Sequence, residues 1–137
     1  MAAGYSETPL AKKLGVVDGQ RTWRVGMPAS VAAEIARGGV SPKLMKAPAK
    51  DLQMAHLFVR RREHLAAKLA RARGLLAANG TVWVSWPKKA SKVATDITED
   101  TVRAEAFALG MVDVKVCAID EVWTALKLVI RVSNRGG

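Results

Sequence analysis

Apolar positions change their spacing several times along the chain, and these changes predict alternating strands and helices. Residues 52–59 (LQMAHLFV) are almost continuously apolar, which is typical of a central strand buried on both faces. Residues 63–78 then show a stripe at helical spacing that consists of Leu65, Leu69, Ala72 and Leu76. The pattern predicts a helix there, capped by Asn79-Gly80, and a further buried strand over residues 81–86.

The flanking regions contain shorter elements of both kinds. Towards the amino terminus, the pattern predicts a helix over residues 9–14 with Thr8 as N-cap, a strand over 21–27, a helix over 31–37 with Ser30 as N-cap, and at most an edge strand over 43–47. Towards the carboxyl terminus, it predicts a helix over residues 98–109, a strand over 112–119 and a strand over 123–132. The link between these last two strands is so short that it implies an antiparallel hairpin.

The order of these elements indicates a single α/β domain over residues 1–132, followed by a tail of residues 133–137. A crossover between parallel strands needs a dozen or more connecting residues. Residues 40–50 are too few to hold a complete strand–helix–strand unit. Any doubly wound sheet in this chain must therefore be abbreviated.

The positive charge of the chain narrows the classes of partner. Its 137 residues carry 22 Lys and Arg against 12 Asp and Glu, which makes a net charge of +10. Such a charge attracts anions, so an anionic small molecule or a nucleic acid is the expected partner, and a homo-oligomer is compatible with the sequence. Half of the residues are hydrophobic, which is enough for a packed core and argues against disorder.

The sequence lacks the residues that several kinds of chemistry need. Cys117 is the single cysteine, which excludes an internal disulfide and fits a protein of the reducing cytoplasm. It lies in an apolar run, which predicts a position in the core. No secretory leader and no apolar stretch near the ~20 residues of a membrane span is found, so no membrane contact is expected. His56, expected as a hydrogen-bonded core residue, and His64 have no cysteine at metal-ligand spacing. No cofactor, metal or catalytic residue is predicted, and the sequence leaves open whether the protein is an enzyme.

Several passages resemble known families. LARARGLLAANGTVWVSWP and GMVDVKVCAIDEVWTALKLVIRV are similar to the late helix–strand passage and the terminal hairpin of class I methyltransferases. MAAGYSETPLAKKLG, HLFVRRREHL, VWVSWPKKASKVATDITED and VDVKVCAIDEVWTALKLVIR resemble a family of small bacterial proteins known only as a domain of unknown function. The resemblance implies an abbreviated Rossmann-like, methyltransferase-like fold, a three-layer α/β sandwich whose mostly parallel sheet ends in an antiparallel hairpin. It implies no particular activity.

The polar loop that begins at Pro87 is the strongest candidate site. The carboxyl ends of parallel strands meet at one edge of a sheet, so this loop and residues 26–30, 60–63 and 120–123 are expected to converge there. Three lysines beside hydroxyl donors suit a phosphate or a carboxylate, such as a nucleotide or a phosphorylated metabolite, although they also suit a plain solvated loop. The predicted ligand-binding residues are Trp86, Lys88, Lys89, Ser91, Lys92, Thr95, Asp96, Asp120, Glu121 and Trp123.

Two alternatives remain open. In the first, the chain is a nucleic-acid-binding or protein-assembly module, and its basic surface consists of Arg60, Arg61, Arg62, Lys68, Arg71 and Arg73. In the second, it is a divergent relic of a methyltransferase. Binding of adenosylmethionine is disfavoured there, because Gly26 stands alone where a glycine-rich loop would lie and no acidic residue clearly ends a second strand.

Overall fold

The computed structural model describes residues 8–134, and within them helices and strands alternate as an α/β fold requires. In chain order, the elements are α1 (Leu10–Leu14), β1 (Arg21–Val25), α2 (Ala29–Ala36), β2 (Lys43–Leu44), β3 (Leu52–Phe58), α3 (Arg62–Leu75), β4 (Leu76–Pro87), α4 (Glu99–Ala108), β5 (Met111–Ala118) and β6 (Trp123–Ile130). Short 3-10 turns follow β4 at Lys89–Ser91 and β6 at Val132–Asn134.

All six strands of residues 8–134 form one sheet in the order β2-β1-β3-β4-β6-β5. Strands β2, β1, β3 and β4 are parallel, and β6 is antiparallel to both of its neighbours. Strand β5 therefore runs in the direction of β4, and the β5–β6 turn lies at the carboxyl edge of the parallel strands. This topology confirms the prediction of a mostly parallel sheet with an antiparallel hairpin.

Helices cover both faces of the sheet and make three layers. Helices α3 and α4 pack over β3 to β6 on one face, where Leu65, Leu69 and Val102 are fully buried. Helices α1 and α2 contribute to a second core on the other face. That core includes Trp83, whose indole Nε1 donates a hydrogen bond of 2.8 Å to the carbonyl oxygen of Leu14. The buried hydrogen bond satisfies the indole N–H and ties α1 to the central strand β4.

The end of α3 differs from the prediction. The helix ends at Leu75 rather than at Asn79-Gly80, and Leu76 already pairs with Leu52 in β3. The residues after Leu76 bulge away from the ladder before the regular pairing resumes. Gly80 lies close to the partner strand, since an added Cβ would come within 2.9 Å of the carbonyl oxygen of Leu52. The glycine therefore serves close strand packing and not a helix cap.

The predicted N-caps of the two short helices are also wrong. Pro9 and Pro28 occupy the N-cap positions, so Thr8 precedes the cap and Ser30 lies within the first turn of α2. The φ angles of these prolines, −56° and −62°, lie in the narrow range that the pyrrolidine ring allows. By contrast, α4 begins within one residue of the predicted start, and Thr98 is its N-cap, because its hydroxyl accepts the N–H of Thr101 in a reciprocal capping box.

A short return segment, residues 45–51, connects β2 to β3 without a helix. Arg21 at the start of β1 holds this segment, because its guanidinium donates to the carbonyl oxygens of Lys50 at 3.0 Å and Asp51 at 3.3 Å. Asp51 has a positive φ of 65°, which allows the tight turn into β3. Strand β2 is only two residues long. On the sheet face that α3 covers, no helix of residues 8–134 packs mainly against β1 or β2.

His56 is a buried core residue, as predicted from its apolar neighbours. It is 1% exposed, its Nε2 lies 2.7 Å from the hydroxyl oxygen of Ser85, and its ring stacks on Phe58 at 4.5 Å. Burial, with a smaller effect of the positive charge of Arg24, lowers the pKa of His56 to about 3. Cys117 is also buried, and burial raises the pKa of its thiol, so the reactive thiolate is disfavoured.

His56 makes the stability of the fold depend on pH. Because its folded-state pKa of about 3 lies below the unfolded value near 6.5, the unfolded chain takes up the proton first as the pH falls. The free energy of unfolding is therefore expected to fall between about pH 6.5 and pH 3. Urea unfolding across this range should show a shallower decline for His56→Gln than for the wild type. Equal slopes for the two proteins would contradict the assignment.

Candidate functional site

A cleft of about 670 Å³ opens at the carboxyl ends of β1 and β3. The chain leaves β1 towards β2 on one side, whereas β3 lies on the other side, so the two strands flank a switch point in the topology. Open α/β sheets bind their ligands in the crevice outside such a switch point. The cleft is lined by Val25, Phe58, Val59, Arg60, Arg61, His64, Lys68 and Ala94.

The lining of the cleft combines an apolar wall with a basic rim. Strands β1 and β3 and the loop after β4 supply the apolar residues, the segment between β3 and α3 supplies Arg60 and Arg61, and α3 itself supplies Lys68. The lining contains no Asp or Glu. Arg61 forms an ion pair of 3.2 Å with Glu63, but both side chains are about two-thirds exposed, so water screens the pair strongly. The rim therefore carries an excess of positive charge.

The hydroxyls of the loop after β4 are taken up by the loop itself. The Ser91 hydroxyl donates to the carbonyl oxygen of Lys88 at 2.7 Å and accepts the N–H of Val93 at 3.2 Å. The Thr95 hydroxyl donates to the carbonyl oxygen of Arg60 at 2.7 Å and accepts the N–H of Ile97. Both predicted ligand residues thus hold the loop in shape.

Asp96 closes the amino terminus of α3. Its carboxylate accepts the backbone N–H of Arg62 at 2.7 Å, and its own N–H donates to the carbonyl oxygen of Arg60 at 3.2 Å. A carboxylate at this position satisfies a free helical N–H and complements the helix dipole. Together with Thr95, Asp96 ties the loop to the chain segment that enters the cleft, and so it positions Arg60 and Arg61.

The other predicted residues of the sheet edge are also structural or lie outside the cleft. Asp120 accepts the N–H groups of Val122 and Trp123 and so shapes the hairpin turn, next to the exposed Glu121. Trp123 packs its ring edge-on against Phe58 at 5.0 Å. Trp86 is 6% exposed in the core, so it offers little surface to a ligand.

The three lysines of the loop lie at the same edge of the sheet but do not line the cleft. Lys89 and Lys92 are exposed, and Lys88 is half-buried, with its backbone N–H bonded to the carbonyl oxygen of Val122 at 2.7 Å. Lys92 has a positive φ of 62° at the end of the 3-10 turn. These lysines add to the positive charge around the cleft from outside it.

The structure divides the six basic residues proposed from sequence for nucleic acid. Arg60, Arg61 and Lys68 line the cleft, and Arg71 is exposed. Arg62 instead pairs with Glu105 of α4 at 2.9 Å, and Arg73 donates to the carbonyl oxygen of Leu109 at 3.0 Å. The last two residues fasten α3 to α4.

The sequence reasoning missed the apolar wall and His64. The available signal was topological, because an abbreviated doubly wound sheet has its switch point beside β1, and the residues that end β1 and β3 must then flank the crevice.

Gly26 is explained by packing in the fold. It has a positive φ of 67° in the turn after β1, and an added Cβ would lie 2.9 Å from the carbonyl oxygen of Phe58 and 3.6 Å from its Cβ. Only glycine fits this close approach of the turn to β3. The residue therefore gives no sign of a phosphate-binding glycine loop.

The described residues contain neither a metal site nor a membrane-spanning helix. Within residues 8–134, no group of three or more His, Cys, Asp or Glu side chains is placed to hold a metal ion. None of the described helices is long and apolar enough to cross a bilayer.

Replacing Gly26 tests the packing argument. Gly26→Ala should lower the free energy of unfolding by about 2–4 kcal/mol, because both the positive φ and the contact with Phe58 oppose a Cβ. Gly39→Ala is the matched control, since Gly39 has a φ of 75° but nothing within 4 Å of an added Cβ. It should cost only about 1–2 kcal/mol in the same urea titration. Equal losses of unfolding free energy in the two variants would contradict the packing argument.

Replacing Asp96 tests its structural role. Asp96→Ala should destabilise the protein by about 1 kcal/mol, because the N–H of Arg62 loses its acceptor. Glu34→Ala provides the comparison, since Glu34 is an exposed carboxylate on α2 and lies outside the first turn of that helix. Its thermal unfolding temperature should stay within about 1 °C of the wild type, whereas that of Asp96→Ala should drop by about 4 °C. A wild-type value for Asp96→Ala would contradict the capping role.

Solved methyltransferases have a similar fold. Magnesium protoporphyrin IX methyltransferase (ChlM) from Synechocystis PCC 6803 with bound SAM (S-adenosylmethionine) is 11% identical, with 88% of this chain and 74% of that chain covered and a TM-score of 0.58. The ribosomal protein L11 methylase from Lactobacillus delbrueckii subsp. bulgaricus is 12% identical, with 89% and 76% covered and a TM-score of 0.57. The CcbJ methyltransferase from Streptomyces caelestis is 10% identical, with 89% and 88% covered and a TM-score of 0.59.

Comparison by sequence finds no match for this chain, whereas comparison by structure does. No family model matches the chain, and no curated protein matches it. At identities near one in ten, the structural likeness shows the fold alone. The chain therefore has an abbreviated, class I methyltransferase-like fold.

Proposed function

We propose that this protein binds an anionic small molecule, of the class of a nucleotide or a phosphorylated metabolite, in the cleft between β1 and β3. The observation that carries the proposal is the lining of the cleft, which joins an apolar wall to a rim of Arg60, Arg61 and Lys68 without any carboxylate. An apolar wall suits a ring system, and the rim suits the negative charge that such a ligand carries.

The side chains of the rim offer complementary kinds of contact. A guanidinium forms two parallel hydrogen bonds to a phosphate, and an ammonium adds a compact point charge. The amino terminus of α3 contributes less, because Asp96 already accepts the N–H of Arg62 there. Side-chain charge rather than the helix dipole is thus the main source of attraction for an anion.

The residues of the cleft do not fit S-adenosylmethionine, which the structurally similar methyltransferases lead one to consider. That molecule carries a sulfonium and an ammonium group against a single carboxylate, so its net charge is positive and the cations of the rim oppose its binding. Strand β2 is followed by Met45 and Lys46 and not by an acid that could bind ribose hydroxyls. The single glycine after β1, Gly26, is taken up by packing against Phe58. We therefore rank a divergent methyltransferase second.

Isothermal titration calorimetry with ATP, pyrophosphate and S-adenosylmethionine tests the proposal. ATP and pyrophosphate should bind and S-adenosylmethionine should not. The double variant Arg60→Ala, Lys68→Ala should weaken binding of ATP by at least tenfold, because each charged hydrogen bond contributes about 1.5–3 kcal/mol. Absence of binding for both phosphate compounds at millimolar concentration, or selective binding of S-adenosylmethionine, would contradict the proposal.

The matched control keeps the change of charge but moves it out of the cleft. Lys88→Ala, Lys89→Ala removes two cations at the same sheet edge, and neither residue lines the cleft. This variant should bind ATP within about threefold of the wild type, since only long-range attraction is lost. The reverse result, with binding lost in this variant alone, would place the ligand in the loop after β4 and not in the cleft.

A further inference from the structure

We infer that the natural occupant of the cleft is the end of a single-stranded nucleic acid, whose following phosphates lie along α3. This inference rests on the proposed function, because it takes the cleft as the place where a terminal nucleotide binds. It goes further in naming a polymer as the ligand, and in assigning a role to Arg71, which does not line the cleft.

The observation is a row of basic side chains that leads away from the cleft. Arg61, His64, Lys68 and Arg71 follow one another at intervals of three or four residues, so they form one line on α3. All four side chains are exposed. The first three line the cleft, and the fourth extends the row beyond it. Ten residues separate Arg61 from Arg71, which corresponds to about 15 Å of helix.

The other sides of α3 are already occupied, so the row has a defined place. Leu65, Leu69 and Ala72 are fully buried against the sheet. Arg62 and Arg73, on the side towards α4, are engaged with Glu105 and with the carbonyl oxygen of Leu109. The row lies on the opposite side of the buried stripe, towards β1, where no helix of residues 8–134 has its main contacts with the sheet. Met45 of the return segment packs against the core on this face, but it is not among the residues that line the cleft.

The dimensions favour a single strand over other polyanions. One helical turn of α3 advances about 5.4 Å, and the rise of ~3.4 Å per phosphate along a duplex axis is a lower limit for an extended single strand, so side chains one turn apart can contact successive phosphates of such a strand. The cleft, with its volume of about 670 Å³, has room for a single nucleotide but not for the end of a duplex. The row is also only one residue wide, which matches one phosphate chain.

Fluorescence anisotropy with two probes tests the inference, namely labelled thymidine 5′-monophosphate and a 5′-phosphorylated oligothymidylate of about eight nucleotides. The oligonucleotide should bind at least tenfold more tightly than the mononucleotide. Arg71→Gln should weaken binding of the oligonucleotide several-fold and reduce the slope of log affinity against log salt by about 0.7, because one phosphate contact is lost. The same variant should leave the affinity for the mononucleotide unchanged.

Arg37→Gln is the matched control, since Arg37 is an exposed arginine at the end of α2 on the other face of the sheet. It makes the same change of net charge and should alter neither affinity. Equal effects of the two variants would overturn the inference, as would equal binding of the two probes, or tighter binding of a duplex of the same length or of phosphatidylserine vesicles. If the mononucleotide still binds in a Lys68-dependent way, these results leave the proposed function standing. Absence of binding for both probes would overturn the inference, and the calorimetry with ATP and pyrophosphate would then decide the proposed function separately.

Discussion

The short return from β2 to β3 is the constraint on which the rest of this structure depends. Residues 45–51 can span at most about 25 Å when extended, and they must bring the chain back past β1 to the start of β3. A helix cannot be accommodated in that distance, because a helical crossover needs a dozen or more residues. The hydrogen bonds from Arg21 to Lys50 and Asp51 hold the return in place. The side of β1 next to α3 is left without a helix of its own, and the cleft is the result.

At the carboxyl edge of the sheet, the hydroxyls and carboxylates have a different role from the cations. The hydroxyls of Ser91 and Thr95 and the carboxylates of Asp96 and Asp120 satisfy backbone groups. They are therefore occupied, and the groups free to meet a ligand are the exposed cations. The carbonyl oxygen of Arg60 accepts two hydrogen bonds from the loop after β4. These bonds hold the backbone of Arg60, the first cation of the rim, in place. Polar residues of one loop thus support the charged residues of another.

The order and type of the elements were predictable from the sequence, because each rests on a local pattern. The continuous apolar run of β3 and the short link between β5 and β6 both led to the observed arrangement. The end of α3 was not predictable in this way, since Leu76 fits a helical stripe as well as a strand and its pairing with Leu52 decides the matter. The buried position of Trp86 follows from the alternation of β4, which places it on the same face as Val82 and Val84.

The candidate site was less predictable than the fold. Its edge of the sheet was expected, but the choice between the loop lysines and the basic residues of α3 depends on the crevice beside β1. No local pattern reveals which cations line that crevice, because Val25, Phe58 and Lys68 come from three separate elements. Nor does the sequence reveal which polar side chains the backbone has already engaged. These are properties of tertiary packing.

The position of β6 has a consequence for how the protein is made. This strand lies between β4 and β5 and pairs with both, although it follows them in the chain. Until residues 123–130 have been synthesised, β4 has one unpaired edge and β5 has no partner in the sheet. A nascent chain therefore presents bare strand edges that attract other strands. The sheet is complete only when β6 has paired with both of its neighbours.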